Sequence, residues 1–214
     1  MRKNVLIISL VILLTGCMRV DNSNLDYVQL VENCLSSKIS TTDVARGYKF
    51  YVPRGSLLIK NYDYNQEFLV DDVSLYLFVD IVSYYHKELN NDIKINDAYY
   101  YEKINYNGKS GFIYIKKDID SYFVKIKYNY SYVEFKANDK NINKLIVMSS
   151  IILNNISYND MIIETILDED FNNGSNVTYK LVKPDESGSD FSHYLEEYVQ
   201  NNEEEDTKSI LPDE

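Results

Sequence analysis

Tryptophan is absent from this chain of 214 residues, cysteine and histidine occur twice each, proline three times and glycine seven times. Each shortage removes a class of chemistry. His86 and His193 lie far apart in sequence, and no His-Glu-x-x-His, Cys-x-x-Cys or aspartate-spaced calcium loop occurs. With Cys17 committed elsewhere (below), too few sulfur and imidazole ligands remain for a zinc site. There is no glycine-rich phosphate cradle and no Gly-x-Ser-x-Gly elbow. Positive charge is short too, with 22 Lys and Arg against 33 Asp and Glu, a net of −11. Nucleic-acid binding needs a basic footprint, so that partner is not expected. No cofactor and no enzymatic activity are expected either.

No apolar run is long enough to span a bilayer, which takes about 20 residues in a helix. The longest apolar stretch outside the body of the chain, Val5 to Leu14, is interrupted only by Ser9 and follows Arg2 and Lys3. A charged start, a short apolar core and small residues before a cut make a secretory signal. The segment closes on Leu14-Thr15-Gly16-Cys17, which resembles the lipobox of bacterial lipoproteins. The resemblance implies that the signal peptidase reads Leu14, Thr15 and Gly16, that residues 1–16 are removed, and that Cys17 becomes the lipid-bearing first residue. An uncleaved anchor and an ordinary secretory signal are the alternatives. One acyl chain holds a protein only marginally, whereas two or three anchor it durably. The expected location is the outer, extracytoplasmic face of a cell membrane.

Acylation of Cys17 would leave Cys34 as the only thiol and preclude an intramolecular disulfide, although that compartment permits one. Cys34 lies in an apolar helical pattern and reads as a core residue. Abundant Asn, Ile, Lys and the 21 tyrosines fit an AT-rich genome. The whole chain looks like the small uncharacterised lipoproteins of low-GC Gram-positive bacteria. Its charge is uneven. Residues 185–214 hold eleven acidic residues and one lysine, Lys208, so the remainder is nearly neutral.

The pattern of elements predicts an α+β domain, an antiparallel sheet packed by an N-terminal and a C-terminal amphipathic helix. Residues 17–24 read as a lipidated tether, 25–166 as the single domain, and 167–214 as an acidic, largely disordered tail too poor in apolar residues to offset ordering entropy. Asn24 is a candidate N-cap for a helix from Leu25 to about Lys38, with Leu25, Val28, Val31 and Leu35 on one face. Tyr48, Phe50 and Val52 alternate with polar partners before Pro53 and Gly55, and a short apolar piece, Ser56 to Ile59, follows. Val73 to Tyr85 reads as a central strand covered on both faces. Asn107-Gly108 between two apolar runs predicts a type I′ hairpin. Tyr122 to Tyr128 alternates as a half-buried strand, with Val133 and Phe135 on its partner. Asn138 or Asp139 is placed to cap a helix from about Lys140 to Asn154, with Ile142, Leu145, Ile146, Ile152 and Leu153 inward. Asp160 to Ile166 reads as one more short element.

Gly47-Tyr48-Lys49-Phe50-Tyr51-Val52-Pro53, followed by a multi-strand sheet and a closing amphipathic helix, is similar in outline to the PsbP/Mog1-like fold over about residues 45 to 156. The Gly-Trp that commonly follows the proline there is replaced by Gly55-Ser56. A fold likeness transfers no active site.

Three candidate sites remain. Asp80 interrupts an apolar run, where a charge must be paired, hydrogen-bonded or at an edge; it reads as facing a lysine or the solvent side or, alternatively, as a pocket carboxylate. Asp71-Asp72 and Asp118-Ile119-Asp120 read as turn acids, with weak calcium binding the alternative. The tyrosines at 84–85, 99–101 and 128, 130 and 132 alternate across strands and place rings on both faces, one of them a possible patch for glycans or protein partners. The leading reading is a binding or interaction module of the cell envelope, its partner an envelope protein or glycan. The rival is a metal-independent envelope hydrolase using carboxylates such as Asp80.

Overall fold

A computed structural model describes residues 26–172 except 92, 94 and 96. The lipobox with Leu14, Thr15, Gly16 and Cys17, the tether, Asn24, the region after residue 172 and His193 lie outside the described residues. Within them the chain is α+β. In order it runs α1 (Tyr27–Leu35), β1 (Asp43–Ala45), β2 (Tyr48–Phe50), β3 (Ser56–Asn61), β4 (Asn65–Val70), β5 (Val73–Val79), α2 (Ile81–His86), β6 (Tyr100–Tyr106), β7 (Lys109–Lys117), β8 (Tyr122–Tyr128), β9 (Ser131–Ala137), α3 (Ile142–Asn154), β10 (Ser157–Tyr158) and α4 (Asp160–Asn172).

Two antiparallel meanders, β3-β4-β5 and β6-β7-β8-β9, join through β5 and β9 into a seven-stranded sheet of order β3-β4-β5-β9-β8-β7-β6. A small sheet, β1-β2-β10, pairs the start of the domain with its end. The expected hairpin is present. Asn107 (φ 51°) and Gly108 (φ 72°) both take the positive φ that a type I′ turn demands. Gly111 is required for a different reason, since a Cβ there would stand 2.0 Å from the carbonyl oxygen of Lys127 on β8.

One face of the large sheet is closed. Leu75 and Leu77 of β5, Ile113 and Ile115 of β7, Val124 and Ile126 of β8, and Val133 and Phe135 of β9 point to it and are fully buried. Helix α3 lies over β8 and β9, with Ile142, Leu145, Ile146, Ile152 and Leu153 buried as expected, and α1 packs on α3 and reaches β6. The small sheet covers the β3-β4 end, where the Phe50 ring meets Phe68 edge-on at 5.9 Å and the buried Tyr48 hydroxyl donates to Gln66 Oε1 at 2.7 Å.

Four expectations are corrected. Val73 to Tyr85 is not one strand: β5 ends at Val79 and α2 begins at Ile81. The cap of α1 is Asp26, whose carboxylate accepts from Val28 N at 3.2 Å. The cap of α3 is Asn141; Asn138 lies upstream and accepts from Lys140 N at 3.0 Å. Cys34 is half-buried rather than a core residue, and burial raises its thiol pKa. Strand β4 was not expected, because it opens on Asn65-Gln66-Glu67. These three are nonetheless buried, each held by a bond made across the fold, such as Asn65 Nδ2 to the Leu77 carbonyl at 2.9 Å. Among the described residues no helix is long and apolar enough to cross a membrane.

Candidate binding face

The second face of the large sheet is built differently. Strand residues alternate between faces, and the register places one row of this face across all seven strands. In order it reads Lys60, Glu67, Tyr76, Glu134, Lys125, Tyr114, Tyr101. Two lysine–glutamate pairs thus flank Tyr76. Lys60 Nζ stands 2.9 Å from Glu67 Oε2, and Lys125 Nζ 2.9 Å from Glu134 Oε1. Both carboxylates are nearly buried, Glu67 at 8 % and Glu134 at 2 % exposure. Burial alone would raise the Glu67 pKa, but hydrogen bonds from Lys60, from Ser74 Oγ at 2.8 Å and from Tyr76 outweigh it and leave it lowered. Charges taken out of water persist only when paired, and each of these carboxylates faces a cross-strand lysine.

The adjacent row carries Phe78, Tyr132, Lys127, Phe112 and Lys103. The Phe78 and Tyr132 rings lie 5.0 Å apart, and Lys125 Nζ sits 4.2 Å from the Tyr132 ring centre, a cation–π distance. On the other side lie Lys136, Phe123 and Lys116. Phe78, Phe112 and Tyr114 are buried yet stand apart from the main apolar core. Residues of the connection between α2 and β6 are anchored beside two of them, Phe112 and Tyr114. Lys127 Nζ donates to the Asn90 carbonyl, Asn91 Nδ2 donates to Ser110 Oγ at 3.0 Å, and Lys116 pairs with Asp97 at 3.6 Å. Two of those anchors, Ser110 and Lys116, stand toward the two ends of β7, and the third, Lys127, is on β8.

The face therefore carries six lysines (60, 103, 116, 125, 127, 136) and two glutamates (67, 134), interleaved with aromatic rings. It is a basic region on a strongly acidic chain. Alternation of Lys125 and Lys127 was visible in the sequence. Their alignment with Lys60 and with the aromatics of β5 and β7 was not, because it depends on the β5–β9 pairing between distant segments.

Asp80 lies at the end of this sheet. It caps α2: Oδ1 accepts from Ser83 N at 2.8 Å and Oδ2 from Ser83 Oγ at 2.7 Å, while its own N–H donates to the Tyr130 carbonyl at 2.8 Å. The residue three positions after an aspartate is where a cap finds its partner, and Asp80 to Ser83 was the available signal. Around it three tyrosines form a knot. Tyr84 stacks on Tyr158 at 3.9 Å and 10°, Tyr130 meets Tyr84 edge-on at 5.5 Å, and Tyr84 donates to Asp160 Oδ1 at 2.6 Å. Lys87 Nζ lies 3.6 Å from the Tyr84 ring centre. Burial and then the Asp160 bond raise Tyr84 to a pKa of about 12; burial, with the Asp80 charge adding, raises Tyr158 well above its usual value. This knot fastens α2 to β10, α4 and the β8–β9 turn.

No family model matches the chain, and no curated protein matches it.

The remaining candidates are separate. His86 is exposed at the last residue of α2. Asp71-Asp72 forms the β4–β5 turn, with Asp71 at φ 52° and its carboxylate 2.7 Å from Lys144 Nζ. Asp118 and Asp120 flank the fully exposed Ile119 in the β7–β8 connection. Among the described residues no three His, Cys, Asp or Glu side chains converge as a metal-ligand group. The tyrosine triplet divides: Tyr100 packs on Tyr27 at 5.1 Å on the closed face, Tyr101 meets Phe112 at 6.0 Å on the open one, and Tyr99, ahead of β6, meets Tyr122 at 5.7 Å.

Proposed function

We propose that the protein is an extracytoplasmic lipoprotein, held on the outer face of the membrane by lipid on Cys17, and that it acts as a binding module of the cell envelope. Its partner is an envelope protein or glycan met by the open sheet face. The observation that carries this reading is the composition of that face, with six lysines against two glutamates among aromatic rings on a chain of net charge −11. Charged residues at such density are costly inside a fold and useful for steering and orienting a partner, while aromatic rings supply contact area. The lipobox supports the location. Both carboxylate oxygens of Asp80 are engaged by Ser83, which favours a capping role for it over the rival hydrolase reading.

Two measurements test the proposal. In cells expressing the full chain, Cys17→Ala is expected to abolish processing at residue 16 and to lose lipid labelling. Unchanged processing and labelling would end the lipoprotein reading. For the face, Lys103→Glu with Lys136→Glu is expected to lower recovery of crosslinked envelope partners while the melting temperature holds. Undiminished recovery would remove the face from the proposal.

A further inference from the structure

A lysine-rich face of the fold and the acidic run 185–214 belong to one polypeptide. We infer that the acidic segment 185–214 docks on the open face of the seven-stranded sheet. This rests on the reading of that face as a binding surface and names its first occupant.

Charge complementarity is the main argument. The face has six lysines and two glutamates on its register rows. Residues 185–214 contain eleven acidic residues and one lysine, with Phe191, Tyr194 and Tyr198 among them. Lys60 and Lys125 are matched by Glu67 and Glu134, and Lys116 by Asp97, so the argument uses the surplus over the whole face rather than any single lysine. Lys103 is exposed, and Lys60 and Lys116 keep 42 % and 33 % of their side chains in solvent. The aromatic residues of the segment find rings of like kind in Tyr132 and Phe123.

Reach is the second argument. Helix α4 ends at Asn172, and the twelve residues 173–184 span up to about 40 Å when extended. Seven strands at about 4.8 Å spacing make a sheet roughly 30 Å wide. The linker is thus longer than the sheet is wide. The segment also starts at a high effective concentration because it is tethered, so contacts too weak to hold a free peptide suffice here. Docking would hide the face from weaker anionic ligands and leave it to partners able to displace the segment.

The test uses the full chain as a Cys17→Ala protein in low-salt buffer. A zero-length carbodiimide, which joins a lysine amine to a carboxylate already in contact, is expected to link Lys103, Lys116 or Lys136 to acidic residues of 185–214 within the monomer. The links are expected to vanish near 1 M salt, where screening acts over about 3 Å. Changing Glu196, Glu197, Glu203, Glu204 and Glu205 to Gln leaves the folded domain untouched and is expected to speed acetylation of the same lysines by about threefold, the scale of exposed charge pairs. Links that join only separate copies, links that fall on lysines off this face, or no links at all overturn the inference. A polyglutamate arm separates the two levels of the proposal. If polyglutamate protects these lysines in the five-Gln variant while no internal link forms, the face binds anions but not its own segment. If neither occurs, the reading of the face falls as well.

Discussion

The two faces of the seven-stranded sheet share every backbone hydrogen bond and differ in everything else. On the closed face, the rows running through Leu77, Val133 and Ile126 and through Leu75, Phe135 and Val124 are apolar at the centre and fully buried. On the open face, the row between them runs Lys60, Glu67, Tyr76, Glu134, Lys125. The first excludes water by packing against α1, α3 and the small sheet. On the second, Glu134 is 2 % exposed and paired across the strands with Lys125. Helices stabilise one face, and cross-strand ion pairs organise the other.

The sharpest way to break the contrast is at one strand, β9, by changing each face in turn. Phe135 is fully buried beneath the helices, and Phe135→Ala is expected to cost about 4 kcal/mol, the range for an aromatic core cavity. Lys136, its neighbour on the opposite face, is expected to tolerate Ala within about 0.5 kcal/mol. Urea unfolding of both variants measures the ratio. Equal losses would mean that the open face is a second core.

The ion pairs sharpen the comparison further. Glu134→Ala leaves Lys125, whose side chain is 16 % exposed, without its carboxylate, and is expected to cost about 3 kcal/mol, as for other broken buried pairs. Replacing both partners, Lys125→Met with Glu134→Leu, is expected to recover most of that, since well-packed apolar substitutes for buried pairs are commonly neutral. Recovered stability together with weakened crosslinking to envelope partners would assign the pair to binding. If the double replacement unfolds the domain, the pair is structural.

The same contrast explains what the sequence made legible. Strands with a clean period of two and local turns were readable: Tyr122 to Tyr128, the Asn107-Gly108 hairpin, and the inward face of α3. Their cues lie within a few residues of one another. Strand β4 was invisible because Asn65, Gln66 and Glu67 are buried only by virtue of partners on β3 and β5 and in the Asn61–Tyr62 turn. The break at Asp80 was hidden by the apolar, β-branched residues on both sides of it, which suit a strand and a short buried helix alike. The open face itself required the β5–β9 pairing, a contact between meanders that no local pattern encodes. Cys34 was placed in the core because apolar neighbours at helical spacing surround it, yet it falls at the margin of the buried stripe that Val31 and Leu35 define.

The smallest expected effect lies where the sheet meets its terminal elements, in the Tyr84 knot. Tyr84 is a neutral donor to Asp160 at 2.6 Å, and its pKa is raised to about 12 from an ordinary value of 10. A folded-state pKa above the unfolded one means that the native state holds the proton more tightly. The stabilisation is therefore complete below about pH 10 and is lost as pH rises through about 12. Tyr84→Phe removes the bond but keeps the stack on Tyr158, and is expected to cost about 1 kcal/mol at neutral pH. In the wild-type chain, stability is expected to fall between pH 10 and 12 more steeply than in the variant. Tyr122, raised to about 12 chiefly by its bond to Asp139, titrates over the same interval, so the difference between the two curves, and not the fall itself, isolates Tyr84. Parallel curves would show that the stack alone holds α2 against α4, and that the Asp160 bond at that seam is incidental.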